Sequence, residues 1–391
     1  MKKFIGFLVF LAAFAMVFGF TITAAMADVD LYGSIRMRTY WVDKDADYSN
    51  GGGNIHPNAD HLSGQPYDDE DLDWKMGYLS RWGVKYKSGD VRGLVELDTR
   101  DSDGGEGSSE IGDVRVRHMY GEWDFGAGKL LIGQTFNPCT VYSNGLGFYS
   151  GGLQQFGGIG LVEFRTSQIR LTFGNLVLAF LTPDIETDPA GTDGSGGAYA
   201  KVDEDTTVPR IEARYSLKLD PVTVDFMGGW QTYDVVDATD HEESIDSYIL
   251  GLYARADFGP VYVKGILNYR QNGANYGLWT AVDETARMEN GKVQDAEAWG
   301  AQLVAGWKIN DTFKVEAAYS MVDAENDDMS TKYEDDASAF MLLCNIKLAP
   351  GVSVQPELIF EDQQEKYVGS NAKTEEGDAT IFGVFWMINF K

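Results

Sequence analysis

Arginine is the residue type in this chain whose spacing carries chemistry. Arg36 and Arg38 stand two apart, as do Arg115 and Arg117, while Arg81 and Arg165 occur in similar alternating surroundings. A guanidinium keeps its proton near neutrality and presents five N–H donors in a rigid fork. Such a set attracts and orients anions through charge-assisted hydrogen bonds; it makes and breaks no covalent bond. Groups that do are scarce. The four histidines, His56, His61, His118 and His241, lie outside any motif that adds a nucleophile and an orienting carboxylate, so a barrel hydrolase is disfavoured. Cys139 and Cys344 form no CxxC pair, which leaves out zinc ribbons, thioredoxin-like dithiols and attached c-type haem. Asp43, Asp45 and Asp47 start like a calcium loop, but Tyr48 stands where its glycine belongs and Asn54 where its last carboxylate belongs. No cofactor is expected beyond calcium or magnesium held by acidic loops.

These arginines need elements that hold them on one face. Residues 1–27 read as a cleaved secretory signal peptide: Lys2 and Lys3, an apolar run, then Ala25-Met26-Ala27 before Asp28. Beyond Asp28 no apolar run approaches the ~20 residues of a membrane helix. Period-two alternation takes over. Val29, Leu31, Ile35, Met37 and Trp41 oppose Asp30, Ser34, Arg36 and Arg38; Trp74, Met76, Trp82 and Val84 oppose Asp73, Lys75, Arg81 and Lys85. The same holds for Ile211–Leu217 and for Phe382–Phe390. Each such segment is a strand with one apolar and one polar face. Short turns, such as Ser88-Gly89-Asp90 and Phe258-Gly259-Pro260, take turns with long segments near 42–72, 101–113, 137–160, 183–207, 234–246, 271–295, 322–336 and 361–378. The count gives about 16 strands and places both ends on one side, the pattern of an all-β, transmembrane, antiparallel up-and-down barrel. A soluble sandwich would have to bury the mid-strand arginines, at several kcal/mol each unless paired. A watery lumen removes that cost. Residues 28–391 then form one barrel domain.

The formal charge of −28 hides a division. The eight long segments hold most of the 60 acidic residues and only seven bases; the rest of the mature chain has more bases than acids. An acidic exterior speaks against sequence-independent nucleic-acid binding. Arginines inside a low-dielectric wall focus a positive potential along it.

The chain resembles the general bacterial porins of outer membranes, the sixteen-stranded trimeric class. The resemblance lies in VDLYGSIRMRTYW after the signal, VRVRHMYGEWDFGAGKLLIGQTFNP, EFRTSQIRLTFGNLVLAFLTP and the terminal IFGVFWMINF. It implies passive diffusion of small hydrophilic solutes and ions across the outer membrane of a Gram-negative cell. It also implies a homotrimer in contact with outer-membrane lipid and lipopolysaccharide. The third long loop, about 137–158, would fold inward to a constriction lined by Arg36, Arg38, Arg81, Arg115, Arg117 and Arg165, with Tyr142, Tyr149 and Gln154 from the loop. Family loops bring carboxylates to face such arginines; this loop has no Asp or Glu, which favours anions at the constriction. Lys391 follows the aromatic on which family chains end. A phosphate- or carboxylate-specific channel is the near alternative. A structural barrel, one sheathing an electron-transfer protein, or an adhesin is more remote.

Overall fold

Alternation leaves these segments no helical face to bury, and all sixteen expected spans fold as strands. The computed structural model describes residues 28–45, 69–76, 80–99, 114–148, 152–160, 165–185, 189–191, 201–237, 240–326, 333–368 and 373–391. The signal-peptide expectation for 1–27 lies outside them. Strand β1 is Asp28–Lys44, and β2 comprises Asp69–Met76 and Ser80–Ser88, which pair with the two halves of β1. Then come β3 (Val91–Thr99), β4 (Val114–Asp124), β5 (Lys129–Phe136), β6 (Arg165–Phe173) and β7 (Leu176–Leu181). Strand β8 comprises Lys201–Asp205 and Arg210–Leu219, followed by β9 (Val222–Asp237), β10 (Glu242–Phe258), β11 (Val261–Gln271) and β12 (Glu297–Lys308). The last are β13 (Phe313–Asn326), β14 (Tyr333–Ala349), β15 (Val352–Asp362) and β16 (Asp378–Phe390). Each strand pairs antiparallel with its neighbours, and β16 pairs with β1 from Gly33↔Phe390 to Lys44↔Ala379, which closes the cylinder. Closure leaves the sheet without a free edge, the condition for crossing lipid on strands.

Two connections are shorter than the sequence implies. Strands β9 and β10 run on to Asp237 and from Glu242, and β13 and β14 reach Asn326 and Tyr333, where long loops over 234–246 and 322–336 are expected. Acidic composition suggests loop, but the alternation continues. Tyr233, Val235 and Ile245 turn inward and pack on Ala286, which keeps the β9–β10 extension in register.

The outer face is dominated by apolar side chains. Trp41, Trp74, Ile132, Leu250, Leu303 and Phe382 are among its exposed side chains. Trp123, Phe125 and Phe173 touch one another near the short-turn end, with ring centroids 5.6 and 6.1 Å apart, as part of an interfacial girdle. The inner face is divided. From β12 to β16 it is largely apolar: Val304, Ala318, Val322, Ala339, Met341, Leu343, Ile359 and Ile381 are buried beneath loop residues Phe148, Leu153 and Phe156. From β1 to β8 it carries charge: Arg36, Arg81, Arg115, Arg117, Arg170 and Arg214 with Glu96, Asp98 and Glu212. A wholly watery lumen therefore gives way to one packed along one side and polar along the other.

Leu303 is 60 % exposed midway between Trp299 and Trp307 on the lipid face. Leu303→Arg is expected to cost about 2–4 kcal/mol of folding free energy in bilayers, read by denaturant titration of vesicle-inserted protein.

Candidate functional site: an arginine wall facing an inward loop

The wall of β1–β6 concentrates five arginines around two carboxylates. Arg117 donates to Glu96 at 2.7 Å and to Asp98 at 3.2 Å. Arg115 forks onto both Asp98 oxygens at 2.8 and 3.3 Å, and Arg81 lies 3.6 Å from Glu96. Cross-strand pairing puts them there, since Asp98 is opposite Arg115 and a bulge after Glu96 lets Arg117 and His118 both turn inward. Among the described residues, Arg36 and Arg165 form no ion pair. Arg36 donates to Ser34 Oγ and lies over the Phe385 ring at 5.8 Å; Arg165 lies over Phe136 at 5.5 Å. Five guanidinium groups against two carboxylates leave three formal positive charges in this cluster.

The third loop crosses the lumen and hangs from glutamates on three other strands. Glu212 on β8 accepts from Cys139 N at 2.9 Å, and Glu316 on β13 from Gly145 N at 2.6 Å. Glu357 on β15 accepts from Gly147 N and Phe148 N at 2.6 and 3.0 Å. Each glutamate is held by a tyrosine laid over a glycine. Tyr262, Gly306 and Glu316 sit side by side on β11, β12 and β13, and the Tyr262 hydroxyl donates across the glycine to Glu316. Tyr40, Gly383 and Glu357 repeat this on β1, β16 and β15, with an O–H···O distance of 2.6 Å. Tyr32, Gly83 and Glu96 repeat it on β1, β2 and β3 at 2.5 Å, orienting the carboxylate that serves Arg117. At Glu212 the tyrosine is Tyr276 from another loop, over Gly229. Only glycine leaves the ring room, because a Cβ on Gly306 or Gly383 would overlap the tyrosine.

The sequence-derived site residues divide accordingly. Arg36, Arg81, Arg115, Arg117 and Arg165 stand together on the wall. Tyr142 projects from the loop, 38 % exposed, with its ring edge-on to Phe136 and in the electrostatic range of Arg165. Arg38 is a correction: it is 0 % exposed, pairs with Asp73 at 2.7 Å and donates to Phe148 O at 3.0 Å, so it holds the loop tip rather than lining the passage. Gln154 is likewise corrected: fully buried, it donates to Val141 O and braces the loop internally. Tyr149 lies outside the described residues. Asp45 exchanges backbone and carboxylate hydrogen bonds with Asp378 at the start of β16, and Asp47 lies outside the description. Among the described residues no three metal-capable side chains gather, Asp43 and Asp45 included. Burial and the neighbouring Glu212 push the Cys139 thiol well above its ordinary range, which makes it an inert filler.

The sequence that folds into this closed sixteen-strand barrel matches the Gram-negative porin family over residues 12–363. The chain belongs to that family. It is an outer-membrane channel protein. Among solved structures it is similar to the outer membrane channel DcaP of Acinetobacter baumannii, at 15% identity and TM-score 0.65, over 93% of this chain and 97% of that one. It is also similar to an anion-selective porin from Comamonas acidovorans, at 14% identity and TM-score 0.58, over 93% and 100%. OmpT of Vibrio cholerae, in its trimer form, matches at 16% and 0.57 over 93% and 99%. At such identities the likeness is one of fold. A search of curated protein sequences found no match.

Sequence reasoning missed the tyrosine–glycine–glutamate rows, because the partners meet only through register. It also missed the inward course of residues 272–296. That loop carried a signal: Tyr276, Leu278, Trp279, Ala281 and Val282 form an apolar run that the other long loops apart from the third lack.

Gly306→Ala is expected to displace the Tyr262 ring and weaken the hold of Glu316 on Gly145. Single-channel recordings of this variant should show greater open-channel current noise than the parent, with the barrel still folded by its resistance to SDS at room temperature.

Proposed function

We propose that this porin is a passive diffusion channel for small hydrophilic solutes and ions that prefers anions at its constriction. The observation that carries the reading is the surplus of positive charge on the β1–β6 wall opposite a loop without a single carboxylate. The loop's glutamate anchors stand on other strands, β8, β13 and β15, and Glu316 has Lys264 and Lys314 at 3.6 and 3.7 Å. Arg81 and Arg115 keep 27 % and 31 % of their side-chain surface exposed, so water and solute reach them inside the cylinder. An anion entering the passage exchanges hydration for guanidinium donors, and a cation meets repulsion in a low-dielectric wall. The acidic outer loops act at longer range and are screened at ordinary ionic strength. In the same reading residues 1–27 direct export and are removed, and the mature chain assembles as a homotrimer among outer-membrane lipid and lipopolysaccharide, as the trimeric OmpT relative supports.

Exposed guanidinium groups also favour a second reading, a saturable site for phosphate or carboxylates. Current that saturates with phosphate but not with chloride would select it.

Reversal potential in a KCl gradient tests the charge. The parent is expected to prefer chloride, and the double variant Arg36→Ala/Arg165→Ala to shift toward potassium. An unchanged reversal potential would remove the arginines from selectivity. The preference of the parent should also weaken in 1 M salt, where the screening length falls to about 3 Å.

A further inference from the structure

The loop of residues 272–296, the sixth at the long-loop end, is built into the constriction rather than hanging above it. Tyr276 and Ala286 are fully buried, and Leu278, Val282 and Met288 nearly so. Its backbone is hydrogen-bonded to the third loop: Trp279 N donates to Gly160 O at 2.8 Å and Ala281 N to Gln155 O at 2.9 Å. Its apolar residues share clusters with that loop, Tyr276 and Leu278 with Cys139, Val141 and Ile159, and Val282 with Leu153 and Phe156.

Two wall residues grip both loops at once. Glu212 accepts from Cys139 N of the third loop through Oε2 and from the Tyr276 hydroxyl of the sixth through Oε1. Arg270 donates to Gly158 O of the third loop and forms a 2.8 Å ion pair with Glu284 of the sixth, both side chains at 0 % exposure. Glu284 in turn accepts from Thr280 Oγ1 at 2.7 Å. The sixth loop is tied within itself as well: Asn272 pairs with Ala296 in both directions, and Asn275 accepts from Ala286 N. A segment knotted this way moves as a unit, and it is joined to the third loop along its length.

We propose that the sixth loop is a size-determining strut of the channel, with Glu284 and Arg270 as the positioning residues that fix it, and through it the third loop, at the constriction. The proposal rests on the channel reading but not on the charge preference. Its readouts are pore width and steadiness, whereas the arginine reading is judged by reversal potential. Breaking the pair leaves a buried guanidinium without its carboxylate, and the sixth loop gives way before the closed wall does.

The experiment uses the folded porin in planar bilayers and in liposomes. Glu284→Gln is expected to raise single-channel conductance roughly 1.5-fold or more and to add open-channel noise. It should also admit uncharged oligosaccharides that the parent excludes in liposome swelling, while the sign of the reversal potential stays that of the parent. Gln155→Cys/Ala281→Cys, placed in the Glu284→Gln background where the two backbones are bonded, should restore parental conductance on oxidation and lose it again on reduction. If Glu284→Gln does not fold, Thr280→Val, which removes only the hydroxyl that supports Glu284, is read in the same way. Parental conductance, noise and sugar exclusion in the folded variant would overturn the proposal. So would a cross-link that forms without restoring the parental current.

Discussion

Buried carboxylates accepting backbone N–H groups are what the channel's interior depends on. A loop that crosses a lumen presents unpaired amides, and an amide buried without a partner costs about 1–3 kcal/mol. Glu212, Glu316 and Glu357 supply acceptors at three points along the third loop, and each spends its charge on that task. A carboxylate so placed needs its own orientation fixed, which the tyrosine hydroxyls provide from across a glycine. Tyrosine, glycine and glutamate thus form one unit, and losing any member loosens the loop. The ordering is physical: closed ladder first, side-chain rows second, loop third.

The same arrangement sorts the lumen's charge. Glu212, Glu316 and Glu357 are taken up by the loop, and on β3 Glu96 and Asp98 are taken up by Arg81, Arg115 and Arg117. Among the described residues, Arg36 and Arg165 have aromatic rings rather than carboxylates for neighbours. A formal charge of −28 for the chain therefore says little about what a solute meets inside. Within the barrel, Glu96, Asp98, Glu212, Glu316 and Glu357 are turned to guanidinium or backbone N–H groups. The wall that remains is basic, and it faces loop residues that carry no charge of either sign.

Much of this was legible in the alternation. The parity that separates Trp41 from Arg38, or Phe382 from Ile381, is the parity of lipid and lumen in the structure, and the seven short turns fall where glycine, asparagine and proline mark them. Parity gives the face but not the neighbour. Arg36 and Arg38 look alike in sequence; cross-strand register and the loop tip put one beside the passage and the other beneath Phe148. Gln154 looks like a polar lining residue because nothing local shows that its amide turns back to Val141. Long acidic stretches mislead in the other direction. At 234–246 Tyr233, Val235 and Ile245 still alternate, and tertiary packing prolongs the strands past the point where composition suggests an end.

The third loop's tip has a further property. Phe148 is held on its carbonyl by Arg38 of β1 and on its N–H by Glu357 of β15, with β16 between them. These two holds come from the opening and closing stretches of the polypeptide, and they become neighbours only when the seam between first and last strands has zipped. Until then the tip has only the β15 half of its seat. Its full set of holds is thereby conditional on completion of the cylinder, so an unsealed barrel leaves the tip fastened from one side.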